Sequence, residues 1–117
     1  MNIERVFDIF GKLSGLPEEL VREQDYLCRM SADNISARLR CPAEQCGGRA
    51  EHAAAALAYY RFVLWSMTDG GAEGVRVGDI SVQNGKSRLL YAERLFNDAL
   101  DGLNGCIGDD GFIFERI

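Results

Sequence analysis

The residue types best suited to chemistry in this 117-residue chain fall in one stretch, Cys41-x4-Cys46-x5-His52. Two thiolates and an imidazole are the donors of a soft cation such as zinc, or the parts of a cysteine nucleophile with its base. The spacing favours neither. Structural zinc sites pair ligands two to four residues apart and take four of them, whereas the fourth is missing from this neighbourhood; Cys28 or Cys106 would complete the set only by folding back onto it. A nucleophilic pair needs an oriented third group, and His52 is the single histidine. Thiols beside a loop, with His52 a polar residue in the first turns of a helix and Cys28 and Cys106 buried as small apolar groups, are the simpler reading. The expectation is therefore no catalytic residue, no cofactor and no metal ligand. A small metal- or thiol-dependent helical domain using Cys41, Cys46 and His52 stands as the alternative.

Other candidate groups read as structure. Asp69 and the pair Asp109-Asp110 are carboxylates that suit a hard cation, but a calcium loop needs oxygen ligands at alternating positions, so an exposed acidic turn explains them better. Gly70, Gly71 and Gly74 are not a phosphate loop, because no Gly-Lys-Ser/Thr follows them. Tyr59, Tyr60, Phe62 and Trp65 cluster as a stacking platform would. Their neighbours Val63, Leu64 and Met67 are also apolar, which makes core packing the stronger explanation, with some faces left for another subunit to cover.

The elements that would position these residues are mostly helical. Ile3, Val6, Phe7, Phe10 and Leu13 form an apolar stripe over residues 2–13, ended by Gly11 and Ser14-Gly15. Pro17 with Glu18 and Glu19 opens a second helix reaching Arg40, its core face set by Leu20, Leu27, Cys28, Ile35 and Leu39. Ser31, Asp33 and Asn34 predict a break or kink near Ser31. Pro42, Gly47 and Gly48 make Cys41–Gly48 a loop. From Arg49 the chain is alanine-rich and then apolar to Met67 except at Arg61, the pattern of a central helix enclosed on nearly every side. Val75 to Val82 carries a partial period-two pattern and is the one good strand candidate; Asn84-Gly85 supplies a turn, and residues 86–103 return to helical period through Leu89, Ala92, Leu95, Phe96, Ala99, Leu100 and Leu103. Gly102, Asn104 and Gly105 suit the C-terminal cap, and Phe112 to Ile117 alternates as a short strand. The fold class predicted is mainly α: one four-helix bundle-like domain spanning residues 1–117, with a β hairpin or arm at residues 75–82 and a short C-terminal strand.

Composition bounds the function. Apolar residues make up 47% and charged residues 26%, the balance of a folded chain with a packed core. A net charge of -5 with scattered Lys and Arg is unlike a surface that neutralises phosphates, so no specific nucleic-acid partner is expected. No apolar run approaches the length of a membrane span, and the start MNIERVFDIF has no apolar signal core. A cytoplasmic protein with reduced thiols, no membrane partner and no small-molecule substrate is expected.

The order of elements, with Arg76-Val77-Gly78-Asp79-Ile80-Ser81-Val82 between the long helix and the last one and an alanine-rich run at 53–58 before it, resembles the small head–tail connector (adaptor) proteins of tailed phages and prophages. The resemblance covers most of the chain; Cys41–Gly48 and Gly70–Gly74 lie outside it. It implies a non-enzymatic helical protein of virion or host cytoplasm that assembles into a ring under the portal and joins head to tail. The partners implied are the chain itself and the portal and tail proteins. Val75, Val77, Gly78, Asp79, Ile80, Ser81 and Val82 would belong to an arm used in subunit contacts, and Phe112, Phe114 and Ile117 to a tail reaching a neighbour. An acidic wall also suits a channel that should not grip passing DNA. A helical regulator acting by protein contact alone is the third reading.

Overall fold

In the computed structural model the first helix, α1 (Ile3–Ser14), is bounded by two local devices. Asn2 Oδ1 accepts from the backbone N–H of Glu4 at 3.0 Å and of Arg5 at 3.4 Å, which satisfies donors the first turn leaves open. Gly15 closes the helix in the left-handed region (φ 75°), its N–H donating to the Gly11 carbonyl. Val6, Phe7 and Phe10 of the predicted stripe are buried. Gly11 does not interrupt the helix: a Cβ there would meet Val21 Cγ2 at 3.3 Å, so the glycine serves a close approach by the next helix. The structure describes residues 1–67 and 82–103, and for residues 43, 44 and 82–86 the backbone alone.

The predicted second helix is two, α2 (Glu18–Glu23) and α3 (Asp25–Arg38), and the break falls at Gln24 instead of Ser31. The cause is tertiary. α2 is held to α1 by the Gly11–Val21 contact and by Arg22, which pairs with Glu4 (3.0 Å) and lies over the Phe7 ring (4.7 Å), whereas α3 packs mainly on the long central helix. Ser31 stays helical because it is buried between Cys28, Ala32 and Ile35 and accepts a hydrogen bond from Arg61, so its hydroxyl does not compete for the backbone. Val21 takes the core position expected of Leu20, which is only half-buried, as is Leu39 just beyond the helix end.

Within the predicted loop, Ala43–Cys46 forms one 3-10 turn after Pro42. Gly47 (φ 60°) and Gly48 (φ 85°) then reverse the chain into α4 (Arg49–Ser66). α4 is the hub, packing against α1, α3 and the last helix. Ala50, Ala53, Ala54, Ala55, Ala56 and Ala58 are fully enclosed, and their small side chains let three helices approach one axis. Tyr59, Tyr60 and Phe62 are buried as expected, Phe62 meeting Phe10 edge to face at 5.7 Å.

α5 (Val82–Gly102) lies along α4 through Ala92, Phe96 and Ala99, with buried Leu103 just beyond its end. Its start corrects the sequence reading. Val82 is helical, not the last residue of a strand, and Asn84-Gly85 lies inside the helix, not in a turn before it. Asn-Gly makes a hairpin turn only where a second strand follows, and here a helical repeat follows; a glycine in the first helical turn costs only about 1 kcal/mol against alanine. Val75, Val77, Gly78, Asp79, Ile80 and Ser81 of the predicted arm, and Phe112, Phe114 and Ile117 of the predicted terminal strand, lie outside the described residues. Among the described residues no helix is long and apolar enough to cross a membrane.

Candidate functional site

The two ends of α4 carry different features. At its C-terminal end Arg61, Leu64 and Trp65, three and four residues apart, share a face of the helix. Tyr26, Leu27 and Met30 of α3 face them, and the six residues line an open groove of about 400 Å³. Its walls are apolar yet solvent-exposed: Tyr26 is 72%, Trp65 56% and Leu64 36% exposed, and Met67 beside them 38%. Trp65, expected in the core with the other aromatics, is therefore a surface residue.

One cation sits in this apolar wall. Arg61 Nη1 donates to Ser31 Oγ at 3.3 Å, and desolvation holds the guanidinium below the usual arginine range. The ion pairs among the described residues, Lys12–Asp8, Arg22–Glu4 and Arg29–Asp25, leave Arg61 without a carboxylate. Among the described residues this half-buried guanidinium has no counter-charge, and a guanidinium so placed can pair with a carboxylate. The signal was present in the sequence, where Arg61 is the only charge between Ala53 and Met67.

At the N-terminal end the thiols predicted as a cluster meet in part. Cys41 Sγ and Cys46 Sγ lie 3.9 Å apart as thiols, with Cys46 fully buried and its sulfur 3.8 Å from the Pro42 carbonyl, to which it donates. His52 is exposed, and among the described residues no group of three or more His, Cys, Asp or Glu side chains is arranged to hold a metal ion. Cys106 lies outside the described residues, as do Asp69, Gly70, Gly71, Gly74, Asp109 and Asp110. Cys28 is buried against the hub, and burial, with Asp25 nearby, pushes its thiol up to about 12.

Two further side chains at this end went unnoticed in the sequence. Arg49 donates through Nε to the Cys46 carbonyl (2.8 Å) and through Nη1 to the Gly102 carbonyl (3.0 Å), fastening the end of α5 to the turn before α4. Glu51, only 7% exposed, accepts the Asn2 N–H at 2.9 Å through Oε2, placing a carboxylate at the N-terminus of α1, where the helix dipole favours it. Its Oε1 is buried without a hydrogen-bond partner among the described residues. Nothing in the spacing of an acid in the first turn of a helix distinguishes such a role from an ordinary solvated one.

The described residues thus form a helical bundle with an open apolar groove between α3 and α4 that carries Arg61 in its wall. No family model, no curated protein and no solved structure matches the chain.

Proposed function

We propose that the protein is a structural interaction module that assembles with copies of itself, in the manner of the phage head–tail connectors its element order resembles, joining a portal to a tail. The observation that carries the reading is the exposed groove of Tyr26, Leu27, Met30, Arg61, Leu64 and Trp65. Large aromatic residues in water are what a surface built to be covered presents.

Arg61 adds direction. A two-fold dimer joining this groove to itself would bring two desolvated guanidinium groups to one interface, which like-charge repulsion opposes. A heterologous contact, groove against an acid-bearing surface of the next copy, has no such conflict. Heterologous contacts repeat head to tail and close as rings when the rotation from copy to copy closes on itself.

The test is solution mass across a concentration series, by light scattering or native mass spectrometry, with and without portal protein. Concentration-dependent association into a closed oligomer is expected. A chain that stays monomeric at every concentration and ignores portal protein overturns the proposal. Portal, terminase and capsid genes beside this one would place it in the expected setting.

A further inference from the structure

The contact between Cys41 and Cys46 points to chemistry independent of assembly. We propose that these two residues are an oxidation site at which a peroxide converts the pair to an internal disulfide, with Cys41 the receiving and Cys46 the resolving sulfur.

The geometry divides the roles. The sulfurs are 3.9 Å apart, so the bond of about 2.05 Å requires them to close by roughly 2 Å, within reach of side-chain rotation and a small backbone shift. Gly47 and Gly48 follow at once, both in the left-handed region, so the backbone after Cys46 carries no Cβ that resists such a shift. The Cys46 contact to the Pro42 carbonyl is long, 3.8 Å. Cys41 is partly exposed and Cys46 fully buried, so an oxidant from solvent reaches Cys41 first.

The steps balance. Cys41 thiolate attacks one peroxide oxygen; the S–O bond forms, the O–O bond breaks, and the other oxygen leaves as water after protonation. Cys46 thiolate then attacks the Cys41 sulfenic sulfur; the S–S bond forms, the S–O bond breaks, and the departing hydroxide takes up the proton that Cys46 released. Two thiols lose two electrons and two protons, and one peroxide becomes two waters. The site adjoins the Arg49 clamp, since the Cys46 carbonyl accepts Arg49 Nε while the same guanidinium holds Gly102, so the disulfide fixes the turn to which the end of α5 is fastened.

The test uses the full chain, reduced, freed of reductant, treated with limiting hydrogen peroxide and then alkylated with N-ethylmaleimide. Peptide mapping should show Cys41 linked to Cys46, with loss of two hydrogens in the intact mass and loss of maleimide labelling at Cys41. Cys28 is the internal control: buried, with its thiol held protonated, it should label only after unfolding. Cys46→Ser should stop the reaction at Cys41, where added glutathione is then trapped as a stable mixed disulfide. The native chain needs no substitution to decide the matter. A Cys41 that accumulates sulfinic acid without ever joining Cys46, or a link from either residue to Cys106 or to another chain, overturns the proposal and leaves the assembly reading untouched; conversely, a strict monomer that forms the Cys41–Cys46 link overturns the assembly reading alone.

Discussion

Replacing Tyr26 with alanine separates assembly from folding more sharply than any other single change. Tyr26 is 72% exposed in the isolated chain. A tyrosine presents roughly 200 Å² of surface, so about 145 Å² of it is open for a neighbour to cover in the proposed assembly. At about 25 cal/mol per Å² that coverage contributes ~3.5 kcal/mol, of which alanine keeps a small part; the substitution should weaken association by about 2–3 kcal/mol, a rise in Kd of roughly 30- to 150-fold. The cost to the monomer is different. About 55 Å² of the side chain is buried on α3, worth ~1.4 kcal/mol, and alanine returns ~0.5 kcal/mol through its better helix propensity, so folding should lose about 1 kcal/mol. Sedimentation or light-scattering dilution series measure the first quantity and urea unfolding the second. An oligomer whose Kd moves less than threefold while the monomer loses 3 kcal/mol would refute the reasoning, since Tyr26 would then be a folding residue.

Three further outcomes follow from the packing and the charges. Phe96→Ala, at a fully enclosed position facing α4, should cost about 3–5 kcal/mol in urea unfolding, a large part of the stability of a domain this size. Gly11→Leu should destabilise by about 1–3 kcal/mol, because even a Cβ meets Val21 Cγ2 at 3.3 Å and the longer side chain must push α2 from α1; a neutral result would mean that α2 is not held there. Arg22 lowers the Glu4 pKa by hydrogen bond and charge, so Glu4 binds its proton less readily folded than unfolded. Its contribution to stability is therefore present above the ordinary carboxylate range and lost as pH falls through the lowered value. In pH-dependent unfolding, Glu4→Gln should remove that small component, and so should high salt.

How much was legible in the sequence depended on whether local pattern or tertiary contact decided the outcome. α1 was readable because its apolar stripe, its terminal Gly15 and its polar outer face agree. The hub was readable because Ala53 to Met67 leaves no polar face except at Arg61. The break at Gln24 was not, since nothing in Glu23-Gln24-Asp25 breaks a helix; it comes from α1 and α4 drawing two halves of one apolar run in different directions. Val82 and Asn84-Gly85 misled because a partial period-two pattern ran straight into the first turn of α5, where asparagine and glycine are as acceptable as in a hairpin. The groove was half-legible. Aromatic excess on one helix showed that some rings had to face outward, but Trp65 is separated from buried Tyr59, Tyr60 and Phe62 only by which face of α4 turns away from α1 and α5.

That outward turn bears on the assembly proposal more than the amount of apolar surface does. The chain places polar residues on most of its other outer faces: Glu4, Asp8 and Lys12 along α1, Arg29 and Asp33 along α3, Arg94, Asn97 and Asp98 along α5 are all exposed, although Leu90 and Tyr91 of α5 are exposed as well. Leu64, Trp65 and Met67 depart from that rule together, within one turn, and Tyr26 departs from it directly across the groove. Scattered exposed hydrophobics need no explanation, but a local group of four does, because each raises the aggregation hazard of a free monomer. Arg61 limits that hazard. A guanidinium set in the apolar wall is tolerable in water, where it stays partly solvated, and becomes costly under any apolar cover that brings no carboxylate. In the proposed assembly the same residue would oppose a two-fold copy of itself and favour an acidic neighbour, so that Arg61→Met should gain nonspecific self-association while losing the proposed closed oligomer, and an Arg61→Met chain that still assembles into the same closed oligomer would remove charge from the account of partner choice.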